Sequence, residues 1–287
     1  MMYKSLFSAI GLAAMVMTAT SAAAFDDSKY PNLKGQWYRP GGAPRFDPEQ
    51  PRGPKQNPPL TAEWRVKFEA SQKDMENGGQ GNHPVYRCLA WGMPGMMNLY
   101  GMMEVTILPE VTYLMIDDGN DSVRRIYTDG RSFPKSGETD PTWVGYSIGQ
   151  WIDEDRDGKY DVLEVETRGP FKGPRAFDNS GLILHPDGDT VIKERIYLDK
   201  NDPTTLYNRL SVEDHTLTRP WSVLKTYKHD PDPRPYWRED VCAENNAQIL
   251  IGGQNYMRDA NGDLMPTRKG QKPPDLKYFK QAKQTQN

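Results

Sequence analysis

The chain has 287 residues, 36% of them hydrophobic, with 36 Lys and Arg against 39 Asp and Glu and a formal net charge of −3. That length suits one large domain or two small ones, and the scattered, near-balanced charge excludes the basic footprint of a nucleic-acid binder. The 25 Gly and 24 Pro predict frequent turns and irregular segments.

In chain order, residues 1–24 read as a signal peptide. Lys4 supplies the positive start, Leu6 to Val16 the apolar core, and Ala22-Ala23-Ala24 the small-residue cleavage site. The apolar run is too short for a membrane span, and no later run is longer. A periplasmic or secreted mature chain starting at Phe25, without stable membrane insertion, is therefore expected. Residues 25–60 form a Pro- and Gly-rich extended segment containing Gly35-Gln36-Trp37-Tyr38. Thr61 caps one amphipathic helix running to about Asn77, with Leu60, Trp64, Phe68 and Met75 on or near one face and Gly78-Gly79 ending it. Next comes a Met-rich stretch holding Trp91, Met93, Met96, Met97, Met102 and Met103. Flexible thioethers fill irregular core gaps, the first reading of this stretch, and the wall of a small-molecule pocket is the sharper alternative.

From Val105 onward the pattern is β. Runs at Val105–Leu108, Val111–Ile116, Val123–Tyr127, Gly145–Trp151, Val162–Thr167, Val191–Leu198, Thr205–Val212 and Ser222–Tyr227 are short, β-branched or aromatic, and separated by turn residues. They predict a mainly β fold, an antiparallel meander closed into a barrel or a strongly curved sheet, with a sandwich as the alternative. Residues 61–257 form a single β-rich domain and 258–287 a polar tail. Alternation puts Glu194 on one face with Ile192, Ile196 and Leu198, where a carboxylate needs a partner.

Cys88 and Cys242 are the two cysteines. In an oxidising compartment they predict one disulfide, worth about 4–5 kcal/mol in the chain-entropy model. The sharpest local motif is the acidic run Asp153 to Glu164. Asp153, Asp155, Asp157, the Lys159 carbonyl, Asp161 and Glu164 stand at the spacing of a twelve-residue calcium loop, although its flanks are β. A structural calcium ion or a solvated acidic hairpin tip are the two readings. Arg124, Arg125, Asp129 and Arg131 crowd another turn, as an anion-reading patch or as ion pairs that fix it. His83, His185, His215 and His229 show no metal-ligand spacing. His185 or His215 could act in proton transfer with Asp129, Asp178 or Glu194. No nucleophile elbow, zinc-protease helix or phosphate loop is present, and no organic cofactor is predicted.

Gly35-Gln36-Trp37-Tyr38 resembles the GxW signature of lipocalins and related calycins, which implies a barrel closed at one end by the Trp and holding an apolar ligand. A larger resemblance, from roughly Thr61 to Asn246, is to a poorly characterised family of secreted bacterial proteins. It rests on Cys88…Gly92-Met93-Pro94, Arg125-Ile126-Tyr127-Thr128-Asp129-Gly130-Arg131, Gly145-Tyr146-Ser147-Ile148-Gly149-Gln150-Trp151, Glu194-Arg195, Arg219-Pro220-Trp221 and Cys242-Ala243-Glu244-Asn245-Asn246. That resemblance implies one continuous domain and no particular reaction. The functional expectation is an exported protein binding an apolar or aromatic small molecule. Trp91, Met93, Met96, Trp143, Tyr146 and Trp151 are the wall candidates, and Arg125, Arg131 and Glu194 the polar contacts. The alternative is a cofactor-independent hydrolase, lyase or isomerase on the same scaffold.

Overall fold

Nine strands close on themselves around one core in the computed structural model. They are β1 (Gln36–Tyr38), β2 (Met103–Ile107), β3 (Val111–Ile116), β4 (Ser122–Tyr127), β5 (Tyr146–Ile152), β6 (Val162–Arg168), β7 (Val191–Leu198), β8 (Thr205–Glu213) and β9 (Trp221–His229). The residues described are 25–41, 44–77, 79, 81–82, 84, 89–98, 101–117, 122–238, 248–251, 254–258, 264–266 and 269–272. The signal-peptide reading of 1–24, His83 and the Cys88–Cys242 bridge fall outside them.

The strands lie in sequence order, with β1 paired to both β2 and β9. This is the mainly β barrel that the strand pattern predicts, with one α-helix among the described residues and the lipocalin-like closure that the Gly35–Tyr38 resemblance implies. Every β-run expected from the sequence is a strand of the barrel, with bounds moved by one or two residues. The extra strand, β1, comes from the Pro/Gly-rich segment, where Gln36-Trp37-Tyr38 pairs at both edges. An odd number of strands cannot alternate direction all the way round a closed sheet, so one neighbouring pair must be parallel. That pair is β4–β5, with Ile126 opposite Ser147. A parallel pair needs a long crossover, and residues 128–145 supply it along the outside of the wall.

Trp37 is fully buried, and its indole N–H donates to the Leu33 carbonyl at 3.0 Å. Gly35 before it has φ +90°, and a Cβ there would stand 2.6 Å from His229 Nε2. Backbone freedom and close approach both call for glycine.

Alternation along each strand sends one set of side chains inward. Trp37, Met103, Leu114, Ile116, Ile126, Ile192, Leu206, Leu210 and Val212 are at most 1% exposed. Helix α1 (Ala62–Glu76) begins where Thr61 Oγ1 accepts from Trp64 N, and it buries Trp64, Phe68 and Ser71. A separate antiparallel sheet follows the barrel: β10 (Gln248–Ile251), β11 (Gln254–Arg258) and β12 (Leu264–Pro266). No helix among the described residues is long and apolar enough to cross a membrane.

The strand directions give the barrel two unlike ends. The connections after β2, β5 and β7 are short and lie at one end, the hairpin end. The connections β1–β2, β3–β4, β6–β7 and β8–β9 lie at the other, which carries the long β1–β2 and β6–β7 connections and is called the long-loop end.

Candidate functional site

Neighbouring arginines part company on β4. Arg124 points inward and Arg125 outward, because successive side chains alternate across the wall. Arg124 Nε donates to Ser147 Oγ at 3.0 Å, Nη2 to Thr167 Oγ1 at 2.7 Å, and Nη1 to Glu194 Oε1 at 3.2 Å. Nη2 also donates to Glu194 Oε2, and Nη1 lies 3.9 Å from Met97 Sδ. These contacts occupy all five guanidinium donors. Glu194 Oε1 accepts in addition from Asn208 Nδ2 at 2.8 Å. Both charged side chains are 0% exposed. The carboxylate that the alternation pattern left without a partner is therefore half of a buried ion pair. It is closed off from any proton-transfer role with His185 or His215.

Lys225 lies inside the same barrel. Its ammonium donates to the Arg45 carbonyl (3.1 Å), Asn98 Oδ1 (2.7 Å) and the Phe46 carbonyl. Burial pushes this amine down to about 7. Tyr227 Oη donates to the Met97 carbonyl at 2.7 Å, and Asn98 Nδ2 to the Phe177 carbonyl at 2.7 Å. The Met-rich segment is thus pinned to the barrel wall by polar bonds. Trp91, Met93, Met96 and Met97 are buried members of the core.

The remaining wall candidates are spread over the molecule. Trp151 packs at the hairpin end, edge-on to Tyr30 at 5.3 Å, with its N–H donated to Thr112 Oγ1 at 3.3 Å. Trp143 is half-buried on the crossover, with Lys172 Nζ 5.7 Å from its ring centre. Arg125 and Tyr146 line an open groove of about 500 Å3 between the outer face of β4 and the crossover. Tyr127 stacks on Tyr146 there at 4.9 Å. Arg131 lies 3.9 Å over the Tyr127 ring and grips Asp129, whose carboxyl it holds down at about 2. Asp129 is thus an ion-pair partner on the outer surface.

The histidines give the main departure from the sequence reading. His185, on the β6–β7 connection, and His215, on the β8–β9 connection, meet at the long-loop end with ring centres 5.7 Å apart. Their carboxylate is Asp187, which none of the pairings drawn from the sequence included. Asp187 Oδ2 is 2.7 Å from His185 Nδ1 and 2.5 Å from His215 Nδ1. Burial opposes its ionisation, but hydrogen bonds from His215, from the Asp189 backbone and from His185 outweigh that and hold it at about 2. The His215 imidazole is raised in turn, chiefly by its hydrogen bond to Asp187. Asp178 is occupied elsewhere. It accepts from Phe46 N, Gln56 Nε2, Ser180 N and Ser180 Oγ, stapling the N-terminal segment to the β6–β7 connection. Local signals for the cluster existed: His185 and Asp187 are two apart, and His215 directly follows Asp214.

At the hairpin end, the acidic loop folds on its own backbone. Asp153 Oδ2 accepts from Gly158 N (3.0 Å), Asp157 Oδ1 from Lys159 N (2.8 Å) and Asp161 Oδ2 from Glu154 N (2.9 Å). Asp153, Asp155 and Asp161 still bring one carboxylate oxygen each within 4.8 Å of the others. Glu164, the twelfth position, instead binds Arg195 on the outer wall. No protein-family model, curated protein or solved structure matches the chain.

Proposed function

We propose that this is an exported binding protein that takes a planar aromatic acid in the groove under the crossover. The observation that carries this reading is Arg125. It is exposed, lines the groove beside the Tyr127–Tyr146 stack, and makes no ion pair or hydrogen bond among the described residues. A guanidinium suits a carboxylate, and the stacked phenol rings suit a flat apolar body. Asp140 lies in the same wall and can accept from a donor group on the ligand. The groove falls within the usual size of small-molecule sites. The packed interior, with its closed Arg124–Glu194 pair, favours this outer position over the barrel lumen.

Mass spectrometry of small molecules co-purifying with the protein tests the reading. An aromatic acid should be recovered with the wild type and lost in Arg125→Ala and in Tyr146→Ala. Recovery of the same compounds from both variants at wild-type amounts would refute it. Arg125→Ala changes an exposed side chain and should leave stability within about 0.5 kcal/mol of wild type.

The same proposal includes a structural calcium ion in the acidic loop, held through Asp153, Asp155 and Asp161. Oxygen-only ligands suit a hard cation. The ion would stiffen the β5–β6 hairpin and take no part in ligand binding.

A further inference from the structure

The long-loop end carries a second site. We infer that His185, Asp187 and His215 form a binding site for a zinc-class divalent transition metal, with two imidazole nitrogens and one carboxylate oxygen as its protein ligands. Three observations converge on it. The ligand atoms, one from each residue, all lie within 4.8 Å of one another. Both imidazoles aim the same atom, Nδ1, at one carboxylate oxygen of Asp187, at 2.7 and 2.5 Å. A single proton-sharing pair needs one histidine. A second imidazole aimed at the same oxygen makes a pocket of three donors around a point.

The third observation is how the two loops are held. Asp214 is 8% exposed and acts as their common anchor. Its Oδ1 accepts from His185 N (3.0 Å), Thr216 N (2.9 Å) and Thr216 Oγ1 (2.7 Å). Its Oδ2 accepts from Thr190 Oγ1 (2.6 Å), which Arg175 Nη2 reaches in turn at 2.8 Å. One buried carboxylate therefore fixes the backbone beside both histidines. Trp64 of α1 packs against the His185 ring at 5.3 Å. Supporting partners of this kind set the orientation of metal-ligating side chains.

The donor set decides the metal. Two imidazoles and one carboxylate suit zinc and its late first-row neighbours, whereas calcium and magnesium prefer all-oxygen sites. His215 is exposed. Three protein ligands on an open face leave the remaining coordination position to water, the arrangement of catalytic zinc centres. The site differs in place, donors and metal preference from the acidic loop at the opposite end.

The test is titration of zinc into untagged, chelator-treated protein at neutral pH, followed by calorimetry, with cobalt absorption as the spectroscopic readout. Binding should be 1:1 at this site, and cobalt should develop visible bands. His215→Ala and Asp187→Asn should each weaken zinc binding by about 100-fold or more. Asp155→Ala, in the acidic loop, should leave zinc binding unchanged. His215 is exposed, so its variant tests binding apart from folding, and a matching far-ultraviolet spectrum checks this. No heat with zinc, or wild-type affinity in His215→Ala, overturns the inference and leaves the cluster as an ion-paired surface network.

Discussion

Arg124–Glu194 inside the barrel and His185–Asp187–His215 on its rim are both charged clusters built from distant segments, and they differ in what they leave unused. In the inner cluster every guanidinium N–H has an acceptor and both charged side chains are 0% exposed, and only Asn208 Oδ1 beside them lacks a hydrogen-bond partner among the described residues. The rim cluster aims two imidazoles at one oxygen of a single carboxylate and keeps one face in water. A satisfied buried network specifies a fold, whereas convergent donors with open positions can take a ligand. Satisfaction, more than charge or burial, divides structural from functional candidates in this molecule.

The largest effect should come from breaking the inner cluster. Arg124→Met leaves the Glu194 carboxylate buried without its counter-charge, which should cost about 3–5 kcal/mol. Removing both charges, Arg124→Met with Glu194→Leu, should recover most of that loss, because an apolar pair of similar volume often matches a buried ion pair. Urea denaturation of the two variants measures the difference. A loss below about 1 kcal/mol in the single variant would mean that water reaches the centre, and the contrast with the rim would fail.

Lys225 sharpens the contrast with a smaller effect, because its partners are dipoles instead of a counter-charge. Lys225→Met strands the Arg45 and Phe46 carbonyls and Asn98 Oδ1, at about 1–3 kcal/mol. The pH dependence has a definite sign. The folded amine titrates at about 7 and the unfolded one near 10.5. Between those values the unfolded chain holds the extra proton, so this group makes stability rise with pH across that window. Below about 7 both states are protonated and its contribution to the slope vanishes. Denaturation midpoints at pH 7 and about pH 9 should show a rise attributable to this residue, absent in Lys225→Met.

The sequence reveals this contrast unevenly, for physical reasons. Period-two alternation assigns each side chain a face, so Glu194 stood out among Ile192, Ile196 and Leu198. The same alternation separates Arg124 from Arg125, yet only barrel closure shows that Arg124 reaches β7 from β4. The strands were legible because their β-branched and aromatic runs are bounded by turn residues. β1 was hidden in the Pro/Gly-rich segment, since three residues are too short to show a period. His185 and His215 lie on different loops. Their meeting follows from both connections emerging at the same end, which strand direction decides and residue type does not. Asp187 stands two residues from His185, but residue type alone does not separate it from Asp178, Asp189 or Asp214.

The acidic loop at the hairpin end is an intermediate case, and it bears on where the dividing line falls. Its aspartates accept N–H bonds from their own turn, as a closed network does. Asp153 Oδ1, however, is buried without a hydrogen-bond partner among the described residues, and three carboxylates converge. If the loop takes calcium, free ion at ten times Kd should stabilise the protein by about 1.4 kcal/mol, the linkage expected for one site. Thermal denaturation with calcium and with chelator measures the shift, and Asp155→Ala should abolish it. Glu164→Gln should leave the shift intact, because that side chain pairs with Arg195 and stands outside the Asp153–Asp155–Asp161 group. Equal midpoints with calcium and chelator would place this loop with Arg124–Glu194, as charge spent on shape. A shift that depends on Asp155 would show that backbone-satisfied carboxylates can still bind when one oxygen is left over.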